Sequence, residues 1–308
     1  MKNPPKPIDV SDLLEYLTFE SSFAFEMKVR ELFASRKLRY KHAGTYEDPH
    51  TRIPRQFDLR VDLNRASSRV STRIILAIEC KSLSEYAPML VYRSPRSAYE
   101  AGHQILASTC GDRKKIDRFL DQYMHLPSFV DLDGPFPHKC VLEIPGNQSL
   151  YKSRDYVGKS IDVVARDGSG SKFKAGDGEV YGRWTQALQS SANILSSLQD
   201  MRLAGQSVSF IWIVPILVVP DDRLFIVDFN DSGLRVRDPS IIDRTPFYVD
   251  YQIAGCDYEG PPLKFGHFEI MTYSALKEFV EDLTGEASKS FIDSQINEEA
   301  CFETLSRF

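Results

Sequence analysis

The chain has 308 residues and a mass of 35.1 kDa, which allows one large domain or two modest ones. Apolar residues make up 42% and charged residues 26%, a globular balance that excludes wholesale disorder. A net charge of −5 excludes a protein that is basic all over, but it leaves room for a local basic face.

The first ten residues, with three prolines and two lysines, read as a loose arm without an apolar signal core. A helical pattern is expected from Ser11 to Lys37. Two strand-like stretches follow, Gln56–Leu63 and Arg73–Lys81, joined by the polar turn 64–69, and together they read as a hairpin. The middle of the chain predicts helices at Ser97–Ser108 and Lys114–Met124, loops at 127–137 and 167–178, and strands at Lys139–Ile144 and Ser160–Ala165. Trp184, Leu188, Ile194, Leu195 and Leu198 predict a long helix over Tyr181–Leu203, with Gly205 just past its end. Strands are expected at Val208–Val219, Leu224–Phe229, Leu234–Arg237 and Phe247–Ile253. A strand-to-helix unit, His267–Met271 then Tyr273–Leu283, precedes an acidic end read as a helix or tail. Strands and helices alternate loosely, which gives an α/β or α+β class with a mixed sheet.

Five cysteines form no CxxC pair and six histidines form no HxxxH pair, so a zinc site is unsupported; the odd cysteine count fits reduced thiols in a cytoplasmic protein. The longest apolar run, Phe210 to Val219, is interrupted by Pro215 and is too short for a bilayer, so no membrane partner is expected.

The chemistry gathers in the hairpin. In Gln56-Phe57-Asp58-Leu59-Arg60-Val61-Asp62-Leu63 the apolar residues alternate with polar ones, placing Phe57, Leu59, Val61 and Leu63 in a core. Ile74-Ile75-Leu76-Ala77-Ile78-Glu79-Cys80-Lys81 is a nearly continuous apolar run, as a strand buried on both faces requires, yet it ends in Glu79 and Lys81, which share a face. Buried charge is costly unless it is paired or bound to a cation. If the two strands pair, Asp58, Glu79 and Lys81 converge. Two carboxylates at one point suit a hard cation such as Mg²⁺, and a neighbouring lysine suits the charge that develops on a phosphodiester under attack. On the first helical stretch Phe19, Phe23, Glu26, Val29 and Phe33 follow 3-4 spacing, which puts Glu26 within an apolar stripe.

In these residues the sequence resembles the PD-(D/E)XK nucleases, which share the restriction-endonuclease-like fold. The resemblance is carried by Phe25-Glu26-Met27-Lys28-Val29-Arg30-Glu31-Leu32, by Gln56-Phe57-Asp58 and by Ile78-Glu79-Cys80-Lys81, and it covers about residues 19–82. Phe57 stands where the family's namesake proline would be. The resemblance implies an α/β fold: a mixed sheet flanked by helices, its core split into 11–82 and 179–308, with a large insertion at 83–178 and a C-terminal extension. It implies Asp58 and Glu79 as metal ligands with the Cys80 carbonyl, Lys81 as the catalytic lysine, Glu26 as an auxiliary acid, and Mg²⁺ or Mn²⁺ as the cofactor. The implied activity is hydrolysis of DNA to a 5′-phosphate and a 3′-hydroxyl, in defence or repair. The alternative from another class is a nucleic-acid-binding or assembly module that keeps the fold without cleaving.

From Lys28 to Arg73 twelve Lys/Arg stand against five Asp/Glu, a basic stretch around an acidic site, as phosphate-backbone binding needs. Arg55 and Arg60 on the first strand, and Arg93 and Arg96 beyond the second, are the expected nucleic-acid contacts. The segment 83–178 is a candidate protein-binding surface; the sequence leaves the oligomeric state open, a homodimer included. Gly158-Lys159-Ser160 lacks the first glycine of a phosphate loop, and Asp162 with Glu179 lacks a lysine, so both rank below the hairpin.

Overall fold

The computed structural model describes residues 7–19, 21–48, 51–66, 70–97, 100, 103–109, 129–132, 138–144, 156–168, 170, 172–176, 178–199, 208–253, 264–286 and 288. Among them are four helices: α1 (Val10–Phe19), α2 (Ser22–Ser35), α3 (Gly178–Gln199) and α4 (Tyr273–Thr284). The first strands are β1 (Arg39–Glu47), β2 (Pro54–Ala66), β3 (Val70–Cys80), β4 (Met89–Pro95), β5 (His103–Thr109), β6 (Phe129–Leu132) and β7 (His138–Ile144). They are followed by β8 (Tyr156–Arg166), β9 (Phe173–Gly176), β10 (Val208–Val219), β11 (Leu224–Asp228), β12 (Ser240–Ile241), β13 (Arg244–Gln252) and β14 (Lys264–Thr272). All join one mixed sheet: ten follow the order β1-β2-β3-β10-β14-β13-β8-β4-β11-β12, while β5 pairs with β10 and β7, β6 with β7, and β9 with β8.

The apolar β10 takes the centre, parallel to β3 on one side and to β14 on the other. Its Pro215 cannot donate to a ladder. It falls in the gap where the β5 pairing (Val208–Ile211) has ended and the β14 pairing (Ile216–Val219) has not begun, one of the few places a central strand tolerates proline. Alternate residues of β3 and β10 enter two separate cores. Ile74, Leu76, Ile78, Trp212, Val214 and Ile216 pack with Val29 and Phe33 of α2 and Leu276 and Phe279 of α4. Ile75, Ala77, Ile211 and Ile213 pack with Ala192, Ile194 and Leu195 of α3. The centre is therefore a helix–sheet–helix sandwich, and burial on both faces is why the β3 and β10 sequences read as unbroken apolar runs.

The hairpin of β2 and β3 is antiparallel as expected. The other departures have local or long-range causes. The helix expected over Ser11–Lys37 is two helices, because Ser21 breaks the run and caps α2, its hydroxyl accepting from Ala24 N at 3.3 Å. The helix expected at Ser97–Ser108 is replaced by β5 over its second half: seven residues pair with β7, and non-local pairing overrides a weak local preference. The loop expected at 127–137 contains β6, and that at 167–178 contains β9. Leu234–Arg237 makes a single bridge, Phe229 to Arg235, with Leu234 and Val236 exposed. The helix expected at Lys114–Met124 lies outside the described residues. Strands β4 and β8, from the segment expected as an insertion, pair with β11 and β13 in the same sheet. No helix among the described residues is long and apolar enough to cross a membrane.

Candidate metal-binding and catalytic site

The site lies at one end of the β2–β3 ladder. The register pairs Leu59 with Ile78, and the next positions along the two strands are Asp58 and Glu79. There the backbone ladder stops and a side chain takes over: Cys80 N–H donates to Asp58 Oδ2 at 2.8 Å. On the other edge of β2, the β1 pairing skips Asp58. Its opposite number, Ala43, is kinked to φ 51, between the pairs His42–Leu59 and Gly44–Phe57. Gly44 is required at that kink, because a Cβ there would collide with the Phe57 ring. Leu59, Val61 and Leu63 enter the α2 core as alternation predicts, whereas Phe57 packs on Tyr46 and beneath the Arg60 guanidinium at 4.2 Å.

Glu79 is 1% exposed, and neither carboxylate oxygen has a hydrogen-bond partner among the described residues. Burial, and next the adjacent Asp58 carboxylate, push its pKa well above the ordinary glutamate range. The nearest positive charge comes from α3. Arg183 Nη1 lies 3.6 Å from Asp58 Oδ1 and 3.8 Å from Glu79 Oε2, with a third of the arginine side chain still exposed. Glu26 is mostly buried and accepts from His42 Nε2 at 2.7 Å. Burial raises the Glu26 pKa, the nearby Asp58 charge raises it further, and His42 and Arg183 oppose both. Burial and the three surrounding carboxylates also raise the Cys80 thiol, keeping it neutral, so any ligation by this residue falls to its backbone carbonyl.

Glu26 faces the hairpin, although not for the reason its spacing suggested. The buried face of α2 is Phe25, Val29, Leu32 and Phe33, while Phe23 is 56% exposed. Glu26 stands at the border of that face, where β1 offers His42. Lys81 follows directly after β3, half-buried, its backbone N–H donating to Val218 O at 2.9 Å.

The four expected phosphate-contacting arginines are not grouped. Arg60 is taken up in docking α3: its guanidinium donates to Ser190 Oγ at 2.9 Å and to Asn193 Oδ1 at 3.2 Å, and burial pulls its pKa down to about 10. Arg55 is partly exposed, with Nε 3.5 Å from buried Asp48. Arg93 is buried and forks onto Asp228 at 2.7 and 3.0 Å. Both it and Arg96 lie at β4, five strands from β3 in the sheet, roughly 24 Å at ordinary strand spacing. Arg93 is thus engaged by Asp228 within the fold.

Sequence reasoning missed Arg183 and His42. On the same helix Gln186 contributes its backbone carbonyl, accepting from Tyr46 O–H at 3.4 Å. Nothing in a lone arginine one residue before a tryptophan marks it as facing two carboxylates.

Among the described residues no group of three or more His, Cys, Asp or Glu side chains is placed to hold a metal ion. The side-chain donors at this point are the two carboxylates, Asp58 and Glu79. Their chemistry fits a hard cation nonetheless: oxygen donors, one of them buried with both oxygens lacking a hydrogen bond, beside a second carboxylate that makes their joint ionisation costly without added positive charge. Comparison of the chain with protein-family models, with curated proteins and with solved structures finds no match.

Proposed function

We propose that the chain is a metal-dependent nuclease that hydrolyses phosphodiester bonds of DNA. The observation that carries this reading is the pair Asp58 and Glu79, adjacent at the ladder end, with both Glu79 oxygens buried and without a hydrogen-bond partner among the described residues. A protein gains nothing in stability by burying a second carboxylate beside a first. Such a pair is explained by a bound cation.

In this reading Asp58, Glu79 and the Cys80 carbonyl hold Mg²⁺ or Mn²⁺, which when bound polarises the phosphodiester and lowers the pKa of a coordinated water. The chain's own residues do the rest. The Cys80 N–H fixes the orientation of the Asp58 carboxylate. Glu26, held by His42, sits at the border as an auxiliary acid. Lys81 orients the attacking water and offsets the charge that builds on phosphorus.

A second reading is a nucleic-acid-binding or assembly module that keeps this fold without cleaving. The Arg183 contact favours it, since a guanidinium beside two carboxylates is also what a purely structural ion cluster looks like. Incubating the purified protein with supercoiled and linear DNA in Mg²⁺, Mn²⁺ or EDTA separates the two. The nuclease cuts with metal and not with EDTA; the module leaves both substrates whole.

A further inference from the structure

Arg183 stands between two carboxylates without forking onto either. One nitrogen lies 3.6 Å from Asp58 and 3.8 Å from Glu79, within ion-pair range of both but beyond hydrogen-bond length to either. A structural arginine buried to neutralise two acids normally forks onto a carboxylate, as Arg93 does on Asp228 at 2.7 and 3.0 Å in this same protein. Arg183 is 35% exposed, so its remaining N–H groups stay available. It stands near the start of α3, whose later residues Ser190 and Asn193 are locked to Arg60. The backbone of that helix is therefore fixed, while the Arg183 side chain makes two ion-pair contacts longer than hydrogen bonds.

We infer that Arg183 is a displaceable counter-ion and phosphate ligand: in the free protein its guanidinium neutralises the Asp58–Glu79 pair, and when a divalent cation binds that pair it turns to the scissile phosphate. The inference rests on the nuclease reading. It adds a residue outside the motif and a coupling between cation and substrate. A cation arriving at the carboxylates repels the guanidinium, and the nearest anion that can accept it is the phosphate whose cleavage the cation assists. Arginine suits this exchange because its planar fork matches two phosphate oxygens as well as it matches a carboxylate.

The coupling makes an unusual pair of expectations. Removing Arg183 removes a competing positive charge, so the cation binds more tightly, while the phosphate loses a ligand and cleavage slows. The test is calorimetric titration of Mn²⁺ into the full chain, with single-turnover cleavage of a DNA duplex at saturating Mn²⁺, for wild type, Arg183→Ala and Arg183→Lys. Arg183→Ala is expected to bind Mn²⁺ about 10-fold tighter and to cleave on the order of 10²-fold more slowly, the loss typical of one positioned charge donor. It should also melt below wild type in EDTA and regain the wild-type midpoint on addition of Mn²⁺. Arg183→Lys should recover part of the rate. Arg183→Gln, neutral and similar in length, repeats the measurement if the alanine variant does not fold. Mn²⁺ affinity in Arg183→Ala equal to or weaker than wild type, or cleavage at the wild-type rate, overturns the inference. A wild type that binds Mn²⁺ and cuts, beside an unchanged Arg183→Ala, removes Arg183 alone. A wild type that neither binds Mn²⁺ nor cuts removes the nuclease reading and this inference with it.

Discussion

Asp58 and Glu79 are the first cross-strand neighbours beyond the last paired residues of β2 and β3, and the Asp58 carboxylate replaces the missing ladder acceptor by taking the Cys80 N–H at 2.8 Å. Asp58 is thus tied into the backbone, whereas the Glu79 carboxylate beside it is buried with no hydrogen-bond partner among the described residues. The two acids have different structural worth, and their substitutions should separate accordingly.

Glu79→Gln should stabilise the cation-free protein. It removes a buried acid that burial and Asp58 both disfavour in its charged form. Denaturant unfolding in EDTA is expected to show a higher midpoint than wild type, with the order reversed in millimolar Mn²⁺, because only wild type gains stability from the cation. A variant less stable than wild type in EDTA would show that Glu79 is held by partners of its own.

Asp58→Asn and Asp58→Ala should differ in stability but agree in cation binding. Asparagine keeps an oxygen for the Cys80 N–H; alanine leaves that buried donor unpaired, at a cost of about 1–3 kcal/mol. Both lose a charged ligand, so calorimetry should register little Mn²⁺ binding for either. Equal stability of the two variants would mean that the Cys80 N–H is satisfied elsewhere.

Arg93 should matter to folding and not to DNA. Its guanidinium is buried against Asp228, so Arg93→Ala leaves that buried carboxylate with Arg237 as its remaining cation and should destabilise the fold. Burial opposes ionisation of Asp228, but Arg93 and Arg237 outweigh it and hold its pKa below the ordinary aspartate range. The sign follows: the ionised pair stabilises the native state at neutral pH, and this contribution is lost as pH falls below about 4 toward the depressed Asp228 value. Urea unfolding of wild type and Asp228→Asn between pH 3 and 7 should show the two curves converging at the acid end. DNA affinity of folded Arg93→Ala, by gel shift, should match wild type.

Gly44→Ala should disturb the site from outside it. The new methyl would collide with the Phe57 ring, next to Asp58, and overpacking of this kind costs about 1–3 kcal/mol. Thermal melting should report the loss, and cation affinity should fall with it. An unchanged melting point would place the Phe57 ring elsewhere.

The legible parts of this molecule were those whose signal is local. Alternation in Gln56–Leu63 and the apolar runs Arg73–Lys81 and Val208–Val219 predicted β2, β3 and β10, because half-burial and full burial leave different patterns in the residues themselves. The spacing also brought Asp58 and Glu79 to one place. Strand β1 was not foreseen: Arg39–Glu47 mixes charge and aromatics with no clean period, since only Tyr46 in it is buried. β5 reads as helical because its strand character comes from β10 and β7, far away in sequence. His42 and Arg183 belong to the same class of hidden information. Each reaches the site through a tertiary contact, across 16 residues to Glu26 in one case and from the distant α3 in the other.

The most direct measurement is single-turnover cleavage of a DNA duplex at fixed salt by wild type, Asp58→Asn and Lys81→Ala, in Mg²⁺, Mn²⁺ and EDTA, with gel-shift titration of the same proteins. Phosphate-backbone affinity is shared among many basic residues, so all three should bind DNA comparably. Wild type should cleave with either metal and not in EDTA. Lys81→Ala should lose on the order of 10²–10³ in rate with no rescue by excess Mn²⁺, because it lacks a positioned charge rather than a metal ligand. Asp58→Asn should be equally slow in Mg²⁺ and partly restored by high Mn²⁺. Wild-type rates in Lys81→Ala, or intact DNA with wild type under every metal, would contradict the account.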